Sequence, residues 1–208
     1  HRDLHYPLRR QRQMCIRDRI KFRAVPFDHP IWILFTSGTT GKPKAIAHRT
    51  GGIILEHFKA LAIHQNVKQK ENYFWYSSTG WMMWNFALSS LLLGSTLCIY
   101  NGSPKYPDNG ILWRFADRAN IKHFGHGASY YEGILEKLPK ELINHHLNAL
   151  KTIGSTGSPL YPKTYQELDK IFYKQKIISI SGGTDICSAF IGGNPDLPII
   201  PGLSLIHI

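Results

Sequence analysis

The run Ile33-Leu34-Phe35-Thr36-Ser37-Gly38-Thr39-Thr40-Gly41-Lys42-Pro43-Lys44-Ala45 sets an apolar stretch directly against four hydroxyls, two glycines and two lysines. That set of residue types suits one chemistry, the holding of phosphate. Glycines let the backbone turn through positive φ and approach a ligand closely, and successive N–H groups can then converge on an anion. The hydroxyls add donors, and Lys42 and Lys44 add positive charge. The spacing excludes a Walker P-loop, which needs G-x-x-x-x-G-K-[ST] at the start of a helix. Here Gly38 and Gly41 stand too close together, and Pro43 follows the first lysine. An ordinary Ser/Thr/Gly surface loop would not require the fixed Gly-x-x-Gly-x-Pro-Lys order behind an apolar strand.

Three more segments carry candidate chemistry. Gly154-Ser155-Thr156-Gly157-Ser158-Pro159 follows the apolar Leu150–Ile153, and Ser181-Gly182-Gly183-Thr184-Asp185 follows Ile177–Ile180. Either alone reads as a common Gly/Ser turn; their order behind the phosphate loop gives them weight. Thr79-Gly80-Trp81-Met82-Met83-Trp84-Asn85 groups large apolar side chains that would either pack a core helix or line an apolar pocket.

These loops need rigid supports, and the apolar periodicity supplies them. Ile54, Phe58, Leu61 and Ala62 recur at helical spacing, with Glu56, Lys59 and Gln65 on other faces, which predicts an amphipathic helix over roughly 49–64. Tyr73–Ser77 reads as a strand, and Trp81–Leu93 as a largely buried helix stopped by Gly94. Thr96–Tyr100 is a further strand, 101–110 a Pro/Gly/Asn loop, and Ile111–Ala119 a helix. Ile121–Phe124 and Leu150–Ile153 read as strands around a helix at Ala128–Lys137. Tyr161–Tyr173 is a helix with Pro162 in its first turn, Ile177–Ile180 a strand, and Ile186–Ile191 a last one. This alternation predicts an α/β fold, a mainly parallel sheet flanked by helices. Ligands bind such sheets beyond the carboxyl ends of the strands, so the loops after Phe35, Ser77, Ile153 and Ile180 are expected to form the site.

Composition narrows the classes. At 208 residues, 43% hydrophobic and 12% aromatic, the chain suits one globular domain or most of one. No apolar run approaches the ~20 residues that span a bilayer, so no membrane role is expected. Cys15, Cys98 and Cys187 are odd in number and far apart, which indicates neither a disulfide framework nor a zinc site and fits a cytoplasmic location. His123-x-x-His126 lacks a third ligand nearby and reads as structural or solvent-facing; His145-His146 reads as a polar loop.

The formal charge of +11 is concentrated in the first 23 residues, where eight basic side chains face only Asp3 and Asp18. A nucleic-acid role would depend wholly on that arm and is not expected, since the arm has no helical period and no recognition motif. Gln13–Arg19 and Leu203–Ile208 look like translated adapter sequence, so residues 1–26 and 203–208 are expected to be non-native or disordered flanks.

Thr36-Ser-Gly-Thr-Thr-Gly-Lys-Pro-Lys44 resembles the phosphate-loop signature of the adenylate-forming superfamily, which includes acyl-CoA synthetases, luciferases and peptide-synthetase adenylation domains. The resemblance runs from about Phe27 to Gly202 and implies that 27–202 is part of an AMP-binding (adenylation) domain, the large N-terminal domain of such enzymes. It implies that Thr36, Ser37, Gly38, Thr39, Thr40, Gly41 and Lys44 hold the β- and γ-phosphates of ATP, and that Gly157-Ser158-Pro159 flanks adenine. It also implies that Thr184 sets a hydroxyl on the α-phosphate and Asp185 a carboxylate on Mg²⁺; most members have Glu where Asp185 stands. Lys44 and Thr184 are the expected catalytic residues.

The same resemblance makes Trp81, Met82, Met83, Thr156 and Gly182 the expected acyl pocket. Members that activate acetate close it with a Trp at the position of Gly182, so hydrogen in place of indole implies a larger acyl group. The combination is similar to that of members acting on acetoacetate, a four-carbon 3-oxo acid, with coenzyme A as acceptor; another short-chain acyl-CoA synthetase is the alternative. The sequence contains no Tyr-x-Thr-Gly-Asp segment and no C-terminal Pro-Lys-x-x-x-Gly-Lys motif, so the chain is expected to need the missing remainder of a longer protein for catalysis. A standalone nucleotide-binding or regulatory module is the alternative from another class. Deleting the first 23 residues is expected to leave MgATP binding intact and abolish any polynucleotide binding, as measured by calorimetry and gel shift.

Overall fold

The computed structural model describes residues 21–36, 41–143 and 147–202. Ser37, Gly38, Thr39 and Thr40 of the candidate phosphate loop, His145-His146 and the segments 1–20 and 203–208 lie outside the described residues. The described residues open with β1 (Pro30–Thr36) and β2 (Lys44–Arg49), an antiparallel pair whose last partners are Thr36 and Lys44. α1 (Thr50–Lys59) follows and widens into a π turn over Ala60–His64.

Strand and helix then alternate through β3 (Asn72–Trp75), α2 (Met82–Leu88), β4 (Thr96–Leu97), α3 (Ile111–Arg118), β5 (Ile121–Gly127), α4 (Ala128–Glu136), the short α5 (Lys140–Ile143), β6 (Thr152–Thr156), α6 (Pro162–Ile171) and β7 (Lys176–Ser179). The five strands form one parallel sheet in the order β4-β3-β5-β6-β7. β8 (Ser181–Gly183) and β9 (Ser188–Ile191) close the described chain as an antiparallel pair. The mainly parallel sheet flanked by helices is therefore present.

Each face of the sheet carries its own core, as the two-residue alternation of strand side chains requires. Phe74, Phe124, Ile153 and Ile177 pack with Trp113 and Leu112 of α3, Tyr131 of α4 and Leu168 of α6. Tyr73, Trp75 and Ile178 pack on the other face with Ile53 of α1, Leu61, and Met82, Met83 and Phe86 of α2. Fully burying a side chain of this size contributes about 1.5–3 kcal/mol, so both layers are needed. The stops follow the local signals: Gly94 ends the α2 segment in the left-handed region at φ 69°, and Pro162 opens α6.

Several expectations require correction. β2 was not predicted, and β1 lies outside the parallel sheet because its partner is the antiparallel β2 rather than a neighbour across a crossover. The buried stripe of α1 is Ile53 and His57, continuing to Ala60 and Leu61, while Ile54 and Phe58 are 40% and 50% exposed. The apolar count misplaced the stripe because a histidine with both ring nitrogens hydrogen-bonded occupies the core. β6 extends to Thr156, so Gly154, Ser155 and Thr156 are strand rather than loop. Ser181, Gly182 and Gly183 form β8 because they pair with β9, and β4 is shorter than Thr96–Tyr100.

Two glycines set the packing of the second core. Gly125 and Gly154 are register partners on β5 and β6, and a Cβ at either would overlap the indole of Trp75. Gly125→Ala is expected to lower stability by about 1–3 kcal/mol through overpacking. A urea midpoint within error of the unsubstituted protein would contradict this account.

Candidate functional site

Three loops and a helix converge at the carboxyl ends of the strands. β6 delivers Thr156 and Gly157; the chain leaving β7 delivers Ile180, Gly182, Gly183 and Thr184; α2 and the residue before it deliver Trp81, Met82, Met83 and Phe86. Together with Ser188 and Ala189 of β9 they line a cavity of about 90 Å³. All five residues named from sequence as an acyl pocket, Trp81, Met82, Met83, Thr156 and Gly182, are on its wall, with Thr184 beside them.

Local geometry explains several identities. Gly157 sits at φ +87°, where a side chain would be strained, and the Trp81 indole lies 3.3 Å from where its Cβ would be. Ser158 and Pro159 follow in an exposed turn. The Thr156 hydroxyl donates to the Ile180 carbonyl at 2.9 Å, tying the ends of β6 and β7 together. Gly182 has a second reason beside the one sequence gave it: a Cβ there would overlap the carbonyl oxygen of Ser188. A side chain at 182 would therefore displace β9 instead of simply filling the cavity.

The phosphate-loop candidates divide. Thr36 and Lys44 face each other as the last pair of the β1–β2 hairpin, so the hairpin holds the two ends of the loop together. Gly41 takes φ +151° with open space at its Cβ position, and Lys44 is exposed. Thr184 and Asp185 begin the turn between β8 and β9, closed by Cys187 N–H to Thr184 O at 3.2 Å. Asp185 is exposed, and its backbone carbonyl is met by Nε2 of His48 at 3.2 Å.

Sequence reasoning missed four cavity residues. Phe86 stands one helical turn beyond Met82 and was legible from that spacing; Ile180 was counted only as strand. Ser188 and Ala189 face the cavity because β9 folds back on β8, which no local pattern announces. His57 was missed because polar residues of the amphipathic helix were assigned to its outer face, and His48 because β2 was not predicted.

His123 and His126 do not converge. His123 bonds to Glu71 and to Thr152 Oγ1, each at 2.7 Å, near the amino ends of the strands. His126 is stacked between Tyr130, with ring centroids 3.9 Å apart, and Tyr76, at 4.8 Å. Its Nδ1 accepts the Gly127 N–H at 2.7 Å, which assigns the proton of the neutral ring to Nε2. Among the described residues no group of three or more His, Cys, Asp or Glu side chains could hold a metal ion.

A parallel α/β sheet with a cavity at its carboxyl ends has the usual position of a ligand-binding site in this fold class. The family model for AMP-binding enzymes matches residues 9–202, and the chain belongs to that family. It is 40% identical over 185 residues to the acetoacetyl-CoA synthetase of Danio rerio, covering 88% of this chain and 28% of that protein. It is 41% identical over 182 residues to the acetoacetyl-coenzyme A synthetase of Rhizobium meliloti (strain 1021), with 87% and 28% covered. The solved acetoacetyl-CoA synthetase from Streptomyces lividans superposes with a TM-score of 0.83 at 43% identity, covering 87% of this chain and 29% of that one. The chain thus spans a little over a quarter of the length of these relatives.

Burial pushes the His126 imidazole from 6.5 down to about 3, with the charge of Lys105 acting in the same direction. The unfolded chain therefore takes up this proton near pH 6.5, whereas the folded one does so only near 3. Stability is complete above the higher value and is lost as pH falls through the window, by up to roughly 1.4 kcal/mol per pH unit for one proton. His57 and His123, also lowered by burial, act with the same sign. His126→Phe is expected to flatten the decline of the urea midpoint between pH 6.5 and 3 relative to the unsubstituted chain; an equally steep decline would refute its part in it.

Proposed function

We propose that this chain is the nucleotide- and acyl-binding portion, residues 27–202, of an AMP-forming acid–thiol ligase that acts on acetoacetate. The observation that carries the reading is the cavity shared by Trp81, Met82, Met83, Thr156 and Gly182 with Thr184 beside it. An acyl group in that hollow has its carboxylate end close to the turn read as the α-phosphate site. The small volume, about 90 Å³, and the walls of Met82, Met83 and Phe86 favour a short acyl chain, and the relatives' names favour acetoacetate among short acids.

In this reading the acetoacetate carboxylate attacks the α-phosphorus of ATP, pyrophosphate leaves, and the thiol of coenzyme A then displaces AMP from the acyl-adenylate. Such transfer depends on positioning and on neutralising charge. Thr36, Ser37, Gly38, Thr39, Thr40, Gly41 and Lys44 hold the β- and γ-phosphates, and the Thr184 hydroxyl meets the α-phosphate. Gly157, Ser158 and Pro159 border the adenine.

Mg²⁺ suits Asp185, an exposed carboxylate to which no side-chain hydrogen bond or ion pair is assigned among the described residues. Mg²⁺ typically takes one or two carboxylates and completes its shell with water and substrate phosphates. Bound there, it would neutralise phosphate charge.

The substrates are small molecules and the expected location is the cytoplasm; among the described residues no helix is long and apolar enough to cross a membrane. The chain alone is expected to bind nucleotide without completing ligation. Calorimetry should give saturable MgATP binding, weakened at least tenfold by Lys44→Ala combined with Thr40→Ala. Absence of binding by the unsubstituted chain would sink the reading for this chain.

A further inference from the structure

The turn carrying Thr184 and Asp185 is held largely from outside. Cys187, at its end, stands at φ 50°, a left-handed conformation that residues other than glycine adopt uncommonly. Three side chains from one short segment grip the turn and the residue after it. His48 Nε2 meets the Asp185 carbonyl at 3.2 Å, His57 Nε2 meets the Cys187 carbonyl at 2.5 Å, and Glu56 Oε1 accepts the Ser188 hydroxyl at 2.9 Å.

His57 is the most constrained of the three. It is wholly buried, and a carbonyl can only accept, so Nε2 carries the ring proton and donates it to Cys187 O. Nδ1 then accepts the Ser89 hydroxyl at 2.6 Å. The ring packs against Trp32 of β1, with centroids 5.9 Å apart, and against Phe86 at 5.1 Å. Phe86 and Ser188 are themselves cavity walls.

The geometry points to His57 as a positioning residue: through its Nε2–H bond to the Cys187 carbonyl it fixes the 184–188 turn against α1. This rests on reading that turn as the α-phosphate site. The consequence is mechanical. α1 continues directly from β2, whose first residue is Lys44, so one continuous segment sets the closing end of the phosphate loop and, through His57, the turn with Thr184 and Asp185. Placing both on one segment fixes the spacing between them.

The test uses the whole chain and two probes, magnesium pyrophosphate and MgATP, each titrated by calorimetry. Pyrophosphate, equivalent to the β- and γ-phosphates, engages the loop that Lys44 closes, whereas MgATP also needs the α-phosphate turn. His57→Asn, which reaches only the Ser89 side, and His57→Leu, which keeps packing alone, are expected to bind MgATP at least tenfold more weakly with pyrophosphate affinity unchanged. His57→Gln, whose amide reaches the position of Nε2, is expected to restore MgATP affinity to within about threefold.

Equal loss of both probes would mean that His57 only supports the fold, and unchanged MgATP binding in His57→Leu would mean that it does not set the turn. A Gln variant as weak as Asn would overturn the role of the Cys187 contact. If the unsubstituted chain binds pyrophosphate but not MgATP, this inference falls while the phosphate loop stands; if it binds neither, the functional reading falls and takes the inference with it.

Discussion

The close approach of Trp75 to the backbone of two neighbouring strands is the constraint on which the site-bearing half of the structure depends. Gly125 and Gly154 stand side by side on β5 and β6 and together offer a strip without side chains. The indole occupies it, buried to 5% exposure. Parallel strands are normally crowded with branched side chains on both faces, and a side chain at either glycine would push the indole off the sheet. With Trp75 in place, Met82, Met83 and Phe86 of α2 share its core and then wall the cavity at the carboxyl ends. The aromatic thus sets how near α2 can come to the strands.

What could be read from sequence follows how local each signal is. The five parallel strands and most helices were legible because apolar runs and the stops at Gly94 and Pro162 act within a few residues. β2 was not legible: Lys-Ala-Ile-Ala-His-Arg has little strand character, and it extends because β1 pairs with it. The α1 face was misread because apolar count stands in poorly for burial when a histidine can satisfy both ring nitrogens inside. His57 does so with Ser89 and Cys187, distant in sequence, and neither partner could be named in advance.

The site divides along the same line. Trp81, Met82, Met83, Thr156 and Gly182 were named from resemblance and do meet around one cavity. The physical role first given to Gly182, an absent indole opening the pocket, took account only of the cavity side. The pairing of β8 with β9 adds a second demand, because the Ser188 carbonyl occupies the space of a Cβ. A position can satisfy a binding surface and a strand pair together, and one sequence does not separate the two. Ser188 and Ala189 illustrate the converse, since cavity residues supplied by strand pairing carry no local mark.

The two ends of the sheet treat polar groups oppositely. At the amino ends, Glu71 lies just before β3 and gathers His123 Nε2 at 2.7 Å, the Lys68 N–H at 2.8 Å and the Lys151 ammonium. Burial alone would raise its pKa, but these donors outweigh it and hold the carboxyl at about 2. His123 in turn contacts Thr152 Oγ1 at 2.7 Å, so one carboxylate links the starts of β3, β5 and β6. Its charge is met where it stands, and such a group organises strands without inviting a ligand. Asp185, in the turn after β8, and Lys44, at the start of β2, are exposed, and among the described residues backbone pairing rather than ion pairing fixes their segments. These two groups stay in water, whereas Glu71 gives up water for protein donors.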